Sequence, residues 1–285
     1  MQCVKIVRKV LISVNNVVFI LGSHLLWLVA AAQQPLNPQP APLELVAPAD
    51  AGISATVYDF GSHPAVAQFL ESPEGPGLAR YSLVLTNESS THIVAVAVRW
   101  IVTDDNGQNR TTTWSFDSFS TNQPVPQPVV PARTQLIATP EGLRAMGWAG
   151  STTSFGGRGQ DLVRIADLNR AQRVTAVVDT IIFEDGRVIG ADESHLVDYI
   201  NAIAGAVKAL VQNLRDATSD GRDVDDVLRN IIAMKRTRSA ASLRDDPAGA
   251  WTMREATFLL RFSVEQRMQR LTVLERVPPP PAFYR

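Results

Sequence analysis

With 285 residues, 45% of them apolar and 19% charged, the chain can bury one large core or two smaller ones and carries too little charge for a disordered acidic or basic polymer. Its formal net charge is −1, and three of its 27 basic groups, Lys5, Arg8 and Lys9, fall in the first thirty-two residues, where there is no acid. The remaining 24 basic groups face 28 acidic ones, which leaves no excess of positive charge for nucleic acid.

Those three cations precede an uncharged run from Val10 to Val29, then Ala30-Ala31-Ala32 and the polar QQPLNPQPAP. A basic start, an apolar run and a small-residue site make up a secretory signal, so residues 1–32 are expected to be a signal peptide cleaved near Ala32. The alternative is an uncleaved anchor over residues 10–32, long enough to cross a bilayer although Asn15, Asn16 and His24 interrupt it. The one cysteine, Cys3, would leave with the signal, and the exported chain would then have neither a disulfide nor a thiol nucleophile. Residues 33–50, with Pro35, Pro38, Pro40, Pro42 and Pro48, read as a Pro-rich linker that favours extended segments over packing.

Residues 51–190 read as a β domain. Ile53 to Phe60 is its first strand, and the PEGPG loop follows. In Tyr81 to Phe119 the apolar residues recur at every second position, at Tyr81, Leu83 and Leu85 and again at Val94, Val96, Val98, Trp100 and Val102, the period of strands with one face in a core. The opposite face of the second strand, Ile93, Ala95, Ala97, Arg99 and Ile101, is smaller and less uniformly apolar. Asp104-Asp105-Asn106-Gly107 is a hairpin turn by its Asn-Gly pair, and Thr111 to Phe116 returns. The turn is no calcium loop, because aligning Gly107 with the EF-hand glycine puts Val102 and Thr113 where the first and last carboxylates belong.

Thr134 to Thr139 supplies a short strand around Leu136 and Ile137. Gly142 to Gly159, GLRAMGWAGSTTSFGGRG, has no clear period and reads as a long loop without a phosphate-binding glycine pattern. Asp161 to Ala166 is expected to be a further strand, Val174 to Phe183 is another, and Glu184-Asp185-Gly186-Arg187 turns it into Arg187 to Gly190. About seven strands with no helical period between them favour two stacked antiparallel sheets.

The T-N-E-S-S that ends one strand, the A-V-R-W-I-V-T-D-D of the next and the later I-I-F-E-D-G-R-V-I-G resemble immunoglobulin-like sandwich modules of uncharacterised secreted bacterial proteins. Trp100 is placed like the core tryptophan of such sandwiches, while the paired cysteines of antibody domains are missing. The resemblance implies an immunoglobulin-like antiparallel β-sandwich and an exported location, and no activity.

Residues 191–276 change period. Leu196, Ile200, Ile203, Val207, Leu210 and Leu214 mark a helix stripe, with Asp192 or Ser194 as its cap. A second helix starts after Asp223 with Val224, Val227, Leu228 and Ile231 on one face, and ends on Lys235-Arg236-Thr237-Arg238. A third opens at Asp245-Asp246-Pro247, or alternatively at Thr252, with Leu260, Val264, Met268 and Leu271 as its stripe and Arg and Glu outside. The expected fold is thus α+β, the sandwich being followed by a C-terminal helical hairpin or three-helix unit. Residues 277–285, VPPPPAFYR, form a Pro-rich tail.

No catalytic constellation assembles from these residues. His63, His92 and His195 stand apart from one another and from any second ligand at metal spacing, so neither a metal nor a cofactor is expected. The pairs Glu184-Asp185 and Asp192-Glu193 are explained by a hairpin turn and a helix N-terminus. Asp179, between Val177 and Ile181, is the unusual acid. Buried alone it would be a candidate site; an exposed sheet face is the expectation. Ser151 and Ser154 lack a nucleophile elbow or a local base. Arg229, Lys235, Arg236, Arg238 and Arg244 read as a solvated helix face.

Trp148, Phe155 and Arg158 are residue types that anchor interfaces, and together they make the Gly-rich loop the candidate binding surface. The expected protein is an exported, non-enzymatic interaction or structural module of the bacterial cell envelope. Its partner would be a protein or envelope component, with no nucleic acid, membrane contact only through an uncleaved N-terminal segment, and self-association through the C-terminal helices. The alternative is an exported hydrolase of envelope carbohydrate or peptide using Asp179 or Glu184 beside the loop.

Overall fold

The computed structural model describes residues 41–50, 52–58, 75–120, 127–140, 142–145, 153–154, 165–236 and 246–276. The chain divides into Met1–Pro40 and Ala41–Arg285; the first unit, with the expected signal, lies outside the described residues, and so does the tail 277–285. In chain order the elements are β1 (Leu43–Val46), β2 (Ile53–Val57), α1 (Gly75–Ala79), β3 (Leu83–Asn87), β4 (Ile93–Thr103), β5 (Asn109–Asp117), β6 (Gln135–Thr139), β7 (Gly142–Ala145) and β8 (Thr153–Ser154). They continue with α2 (Ile165–Arg170), β9 (Arg173–Phe183), β10 (Val188–Gly190), α3 (Leu196–Ser219), α4 (Val224–Arg236), α5 (Pro247–Leu259) and α6 (Val264–Arg276). The fold is α+β, with two sheets and six α-helices among the described residues, none of them long and apolar enough to cross a membrane.

One sheet has the order β1-β9-β4-β5, with β10 also on β9; the other runs β2-β3-β6-β7-β8. The long strands β4 and β9 are buried on both faces. Val96, Val98, Trp100 and Val102 of β4, with Val174, Ala176, Val178, Ile181 and Phe183 of β9, share a core with Leu83, Leu85 and Leu136 of the second sheet. Ala95 and Ala97, with Ile182, face the other way and share a second core with Leu196, Ile200, Ile203, Val207, Leu210 and Leu214 of α3. The small residues on that face of β4 are thus helix-facing positions. Two indole N–H groups tie the layers. Trp100 Nε1 donates to Tyr81 O at 2.9 Å, and Trp251 Nε1, on α5, donates to Phe119 O at 2.9 Å.

Several sequence expectations change. Val94 does not share the face of Val96: the β4–β9 register shifts between Ile93 and Ala95, and Val94 lies with the helices. The linker expected over residues 33–50 contains β1, whose Leu43 to Val46 pair with Val174 to Val177 in parallel, so the first sheet is not purely antiparallel. The strand is four residues long between prolines, too short to declare a period. The loop expected from Gly142 to Gly159 contains β7 and β8, paired to β6 and to each other by backbone bonds that no apolar period announces. Ile165–Arg170 is helical where a strand was expected over Asp161 to Ala166, of which 161–164 lie outside the described residues.

The third expected helix is two, α5 and α6, separated at Leu260 to Ser263. Asp246 caps α5 by accepting from Gly249 N at 2.8 Å, with Pro247 in the first turn. Ser263 and Gln266 then restart the chain as a capping box, Gln266 Oε1 accepting from Ser263 N at 3.2 Å. The restart rotates the stripe. Val264 and Met268 are exposed, whereas Arg267, Arg270, Leu271 and Leu274 are buried.

The connection from β1 to β2 is pinned to the β9–β10 turn by Asp50, whose carboxylate accepts from Gly52 N at 2.7 Å and from Arg187 Nη1 at 3.1 and 3.0 Å. Arg187 in turn lies 3.8 Å over the Phe183 ring. The Gly52 N–H, and after it Arg187, hold the Asp50 carboxyl below its ordinary value against the opposing effect of burial. A depressed carboxyl stabilises the fold above the unfolded pKa and loses that contribution as pH falls through the folded one. Asp50→Asn is therefore expected to be less stable than wild type at neutral pH, with the difference closing below about pH 4. Thermal unfolding of both proteins from neutral to acid pH checks this; a difference that is flat across the range contradicts it.

Candidate functional site

Asp179, the unusual acid weighed for the hydrolase alternative, lies at a tightly constrained point of the fold. Strict alternation would put Val177, Asp179 and Ile181 on one face of β9, but the register passes from Val98↔Val178 to Ala97↔Thr180 and leaves Asp179 over. This bulge turns Asp179 and Thr180 toward the start of α3 and returns Ile181 to the inter-sheet core. The exposed sheet face expected for Asp179 is thus corrected: the residue is fully buried.

It is buried with partners. Oδ1 accepts from Glu193 N at 3.2 Å, and Oδ2 accepts from Ser194 N at 2.9 Å and from the Thr180 hydroxyl at 3.0 Å. Arg99 Nε stands 3.3 Å from Oδ1, at ion-pair distance though not aligned as a hydrogen bond, and Arg99 Nη1 lies 2.7 Å from Glu193 Oε2. Arg99, the odd cation on the small-residue face of β4, is there to meet these acids. A buried carboxylate costs several kcal/mol unless its lone pairs and charge are both answered, and here both are.

The same segment caps α3. The N-cap residue His195 has φ 54° and offers no side-chain bond; Asp192, at φ 55°, accepts from Val197 N at 3.2 Å instead, with the Thr180 hydroxyl 3.1 Å from the same oxygen. The N-cap position is thus neither Asp192 nor Ser194, the two expected, but Asp192 supplies a capping carboxylate from three residues before the N-cap. Gly190 makes the approach possible. At φ 105° a Cβ there would stand 2.1 Å from Asp179 O, a backbone atom that cannot move aside.

The remaining expected positions are dispersed. Glu184 Oε1 accepts from His92 N at 3.1 Å, tying the β9–β10 turn to the start of β4, and Asp185 Oδ1 accepts from Arg187 N at 2.9 Å within the turn. His195 is exposed beside Asp198, and His63 lies outside the described residues. Among the described residues no three His, Cys, Asp or Glu side chains are grouped to hold a metal ion. Arg229 pairs with Asp225 and Asp226, while Arg238 and Arg244 lie outside the described residues. The candidate binding residues Trp148, Phe155 and Arg158, and Ser151 with them, also lie outside.

A second buried ionic group escaped the sequence reading. Arg270, expected on the outside of the third helix, is buried with its Nη2 2.8 Å from Glu255 Oε2 and its Nε on Oε1, and its guanidinium lies 4.7 Å from the Phe258 ring. Arg267 reaches Asp225 of α4. Only the capping box at Ser263 could have signalled the rotation that brings both arginines inside.

Asp179, with three hydrogen bonds from backbone and hydroxyl donors and no exposed surface, braces the start of α3. No protein-family model, curated protein or solved structure matches the chain.

Removing Asp179 would leave two backbone donors unanswered and Arg99 with only the exposed Glu193 as its partner. Asp179→Ala is expected to lower stability by about 3–5 kcal/mol. Glu193→Ala, which removes the exposed partner, should cost under ~1 kcal/mol. Chemical denaturation of the two variants checks the contrast, and equal losses contradict it.

Proposed function

We propose that the chain is an exported, non-enzymatic interaction or structural module of the bacterial cell envelope, in which residues 51–190 act as an immunoglobulin-like sandwich and residues 191–276 as a helical unit laid on it. The observation that supports this reading is the burial of Asp179: of the two acids weighed for the hydrolase alternative, it is fully buried and holds the start of α3, while Glu184 accepts from His92 N. The basic, apolar and small-residue order of residues 1–32 supports export.

Binding is assigned to Trp148, Phe155 and Arg158. The described strands nearest these residues, β7 and β8, pair through Arg144 with Ser154 and Ala145 with Thr153. Segments next to the strands of a rigid support carry recognition. Deleting the whole of 142–159 would remove both strands, so point substitutions are the appropriate probe. Self-association through the helices is part of the same proposal, with the exposed Val264 and Met268 of α6 as its apolar contacts.

The full chain carrying a C-terminal tag and a photo-crosslinker at Trp148 tests the reading in a bacterial host. The expected product is an exported protein starting near Gln33, crosslinked to one envelope component, with the crosslink from the same site lost when Phe155 and Arg158 are both changed to Ala. A cytoplasmic chain that keeps Met1, or a crosslink indifferent to the substitutions, overturns it. Light scattering on the purified product decides self-association, which a monomer removes.

A further inference from the structure

His92 has no part in the module as proposed, yet its ring makes a bond that only one of its charge states can make. The residue is half-buried where the chain turns into β4, and its backbone pairs with Glu184: His92 N donates to Glu184 Oε1 at 3.1 Å and His92 O accepts from Glu184 N at 2.9 Å. The imidazole points to another segment. Its Nδ1 accepts from the backbone N–H of Ala132, forty residues on, at 2.9 Å. A ring nitrogen accepts only when it carries no proton, so this bond selects the neutral imidazole with its proton on Nε2.

Ala132 belongs to the connection that leads into β6. Val130 exchanges two backbone bonds with Ile93, at 2.9 and 3.1 Å, and the buried Asn87 amide reaches Val130 O and Pro131 O, both at 3.2 Å. Arg133, next to Ala132, sits at φ 60°, a conformation that a residue with a side chain holds only under constraint. His92 and Asn87 are the side chains that clamp the connection before this strained residue.

We propose that His92 is a proton-operated latch on the 129–134 connection, closed by the neutral ring and opened when the imidazolium places an N–H against the N–H of Ala132. The charged groups of the surrounding segments are Glu88 in its own turn, Glu184 and Asp185 in the β9–β10 turn, and Arg133 in the latched connection. The Glu184 carboxylate is engaged by the His92 backbone. The Ala132 N–H touches the ring directly, and the exposed Arg133 adds positive charge on that side. With Ala132 released, the Ile93–Val130 backbone pair and Asn87 still hold the two ends of the connection, and Arg133 between them can relax.

His92→Asn tests the latch, because its Oδ1 can take the place of Nδ1 and does not titrate. Thermal midpoints of the full chain and the variant are compared from about pH 8 to pH 5, the range in which histidine changes charge. Acidification should cost wild type roughly 2–4 °C relative to His92→Asn, the shift expected for one lost bond in a chain of this size. A constant difference, or a wild type that gains on the variant, overturns the proposal. Should the variant fail to fold, the wild-type protein still decides: the Ala132 amide resonance must move with the titration of the His92 ring, and an Ala132 resonance that ignores it overturns the latch.

Discussion

A buried carboxylate that must be answered sets the geometry of this fold. Asp179 reaches the start of α3 because β9 carries one residue more than β4 at that point, and the extra residue turns a polar pair out of the strand's alternation. Once there, Asp179 accepts two backbone N–H groups from the 190–195 connection, whose path is closed tightly enough that only glycine fits at 190. Arg99 supplies the countercharge from β4, and Asp192 caps the helix. Each element fails without the others: the helix would start uncapped, the carboxylate would be buried unpaired, and two residues at positive φ would have nothing to hold them.

The apolar layers explain why such a constraint is tolerated. Burying the six stripe residues of α3 in the core they share with the sheet and the other C-terminal helices contributes about 1.5–3 kcal/mol for each large side chain, more in sum than the polar brace can add. The brace supplies position. Apolar burial alone would accept neighbouring registers of the helix on the sheet, whereas Asp179, Thr180 and Asp192 meet their donors in one arrangement. Ala95 and Ala97 match that placement, since a helix can approach a strand closely only over small side chains.

How far the sequence told this depended on whether one periodicity held through a segment. In α3 it did: all six residues of the stripe are buried. The hairpin of β4 and β5 closed at Gly107, with φ 75°, as its Asn-Gly pair required. Where a bulge or a helix break changed the phase, the same reasoning misplaced residues. Val94, Ile181, Val264 and Met268 all sit one phase away from their expected face, and Asp179 is buried on the face where exposure was expected. Arg267 and Arg270 look like solvent-facing charges in any helical count, and only the distant Asp225 and Glu255 show why they are inside. Ionic partners far apart in sequence leave no local signal. The two acids weighed for catalysis, Asp179 and Glu184, both turned out to serve backbone donors, a role composition cannot separate from catalysis.

The brace implies a specific exchange behaviour. Glu193 and Ser194 belong to neither a helix nor a strand, and without Asp179 their N–H groups would exchange as those of an ordinary turn. Residue-resolved hydrogen exchange on the wild-type protein is the direct test. Protection at Glu193 and Ser194 comparable to that of the first turns of α3 is expected, since both are held by a fully buried carboxylate. Exchange of those two amides at the rate of exposed turn residues, with α3 itself protected, would contradict the account.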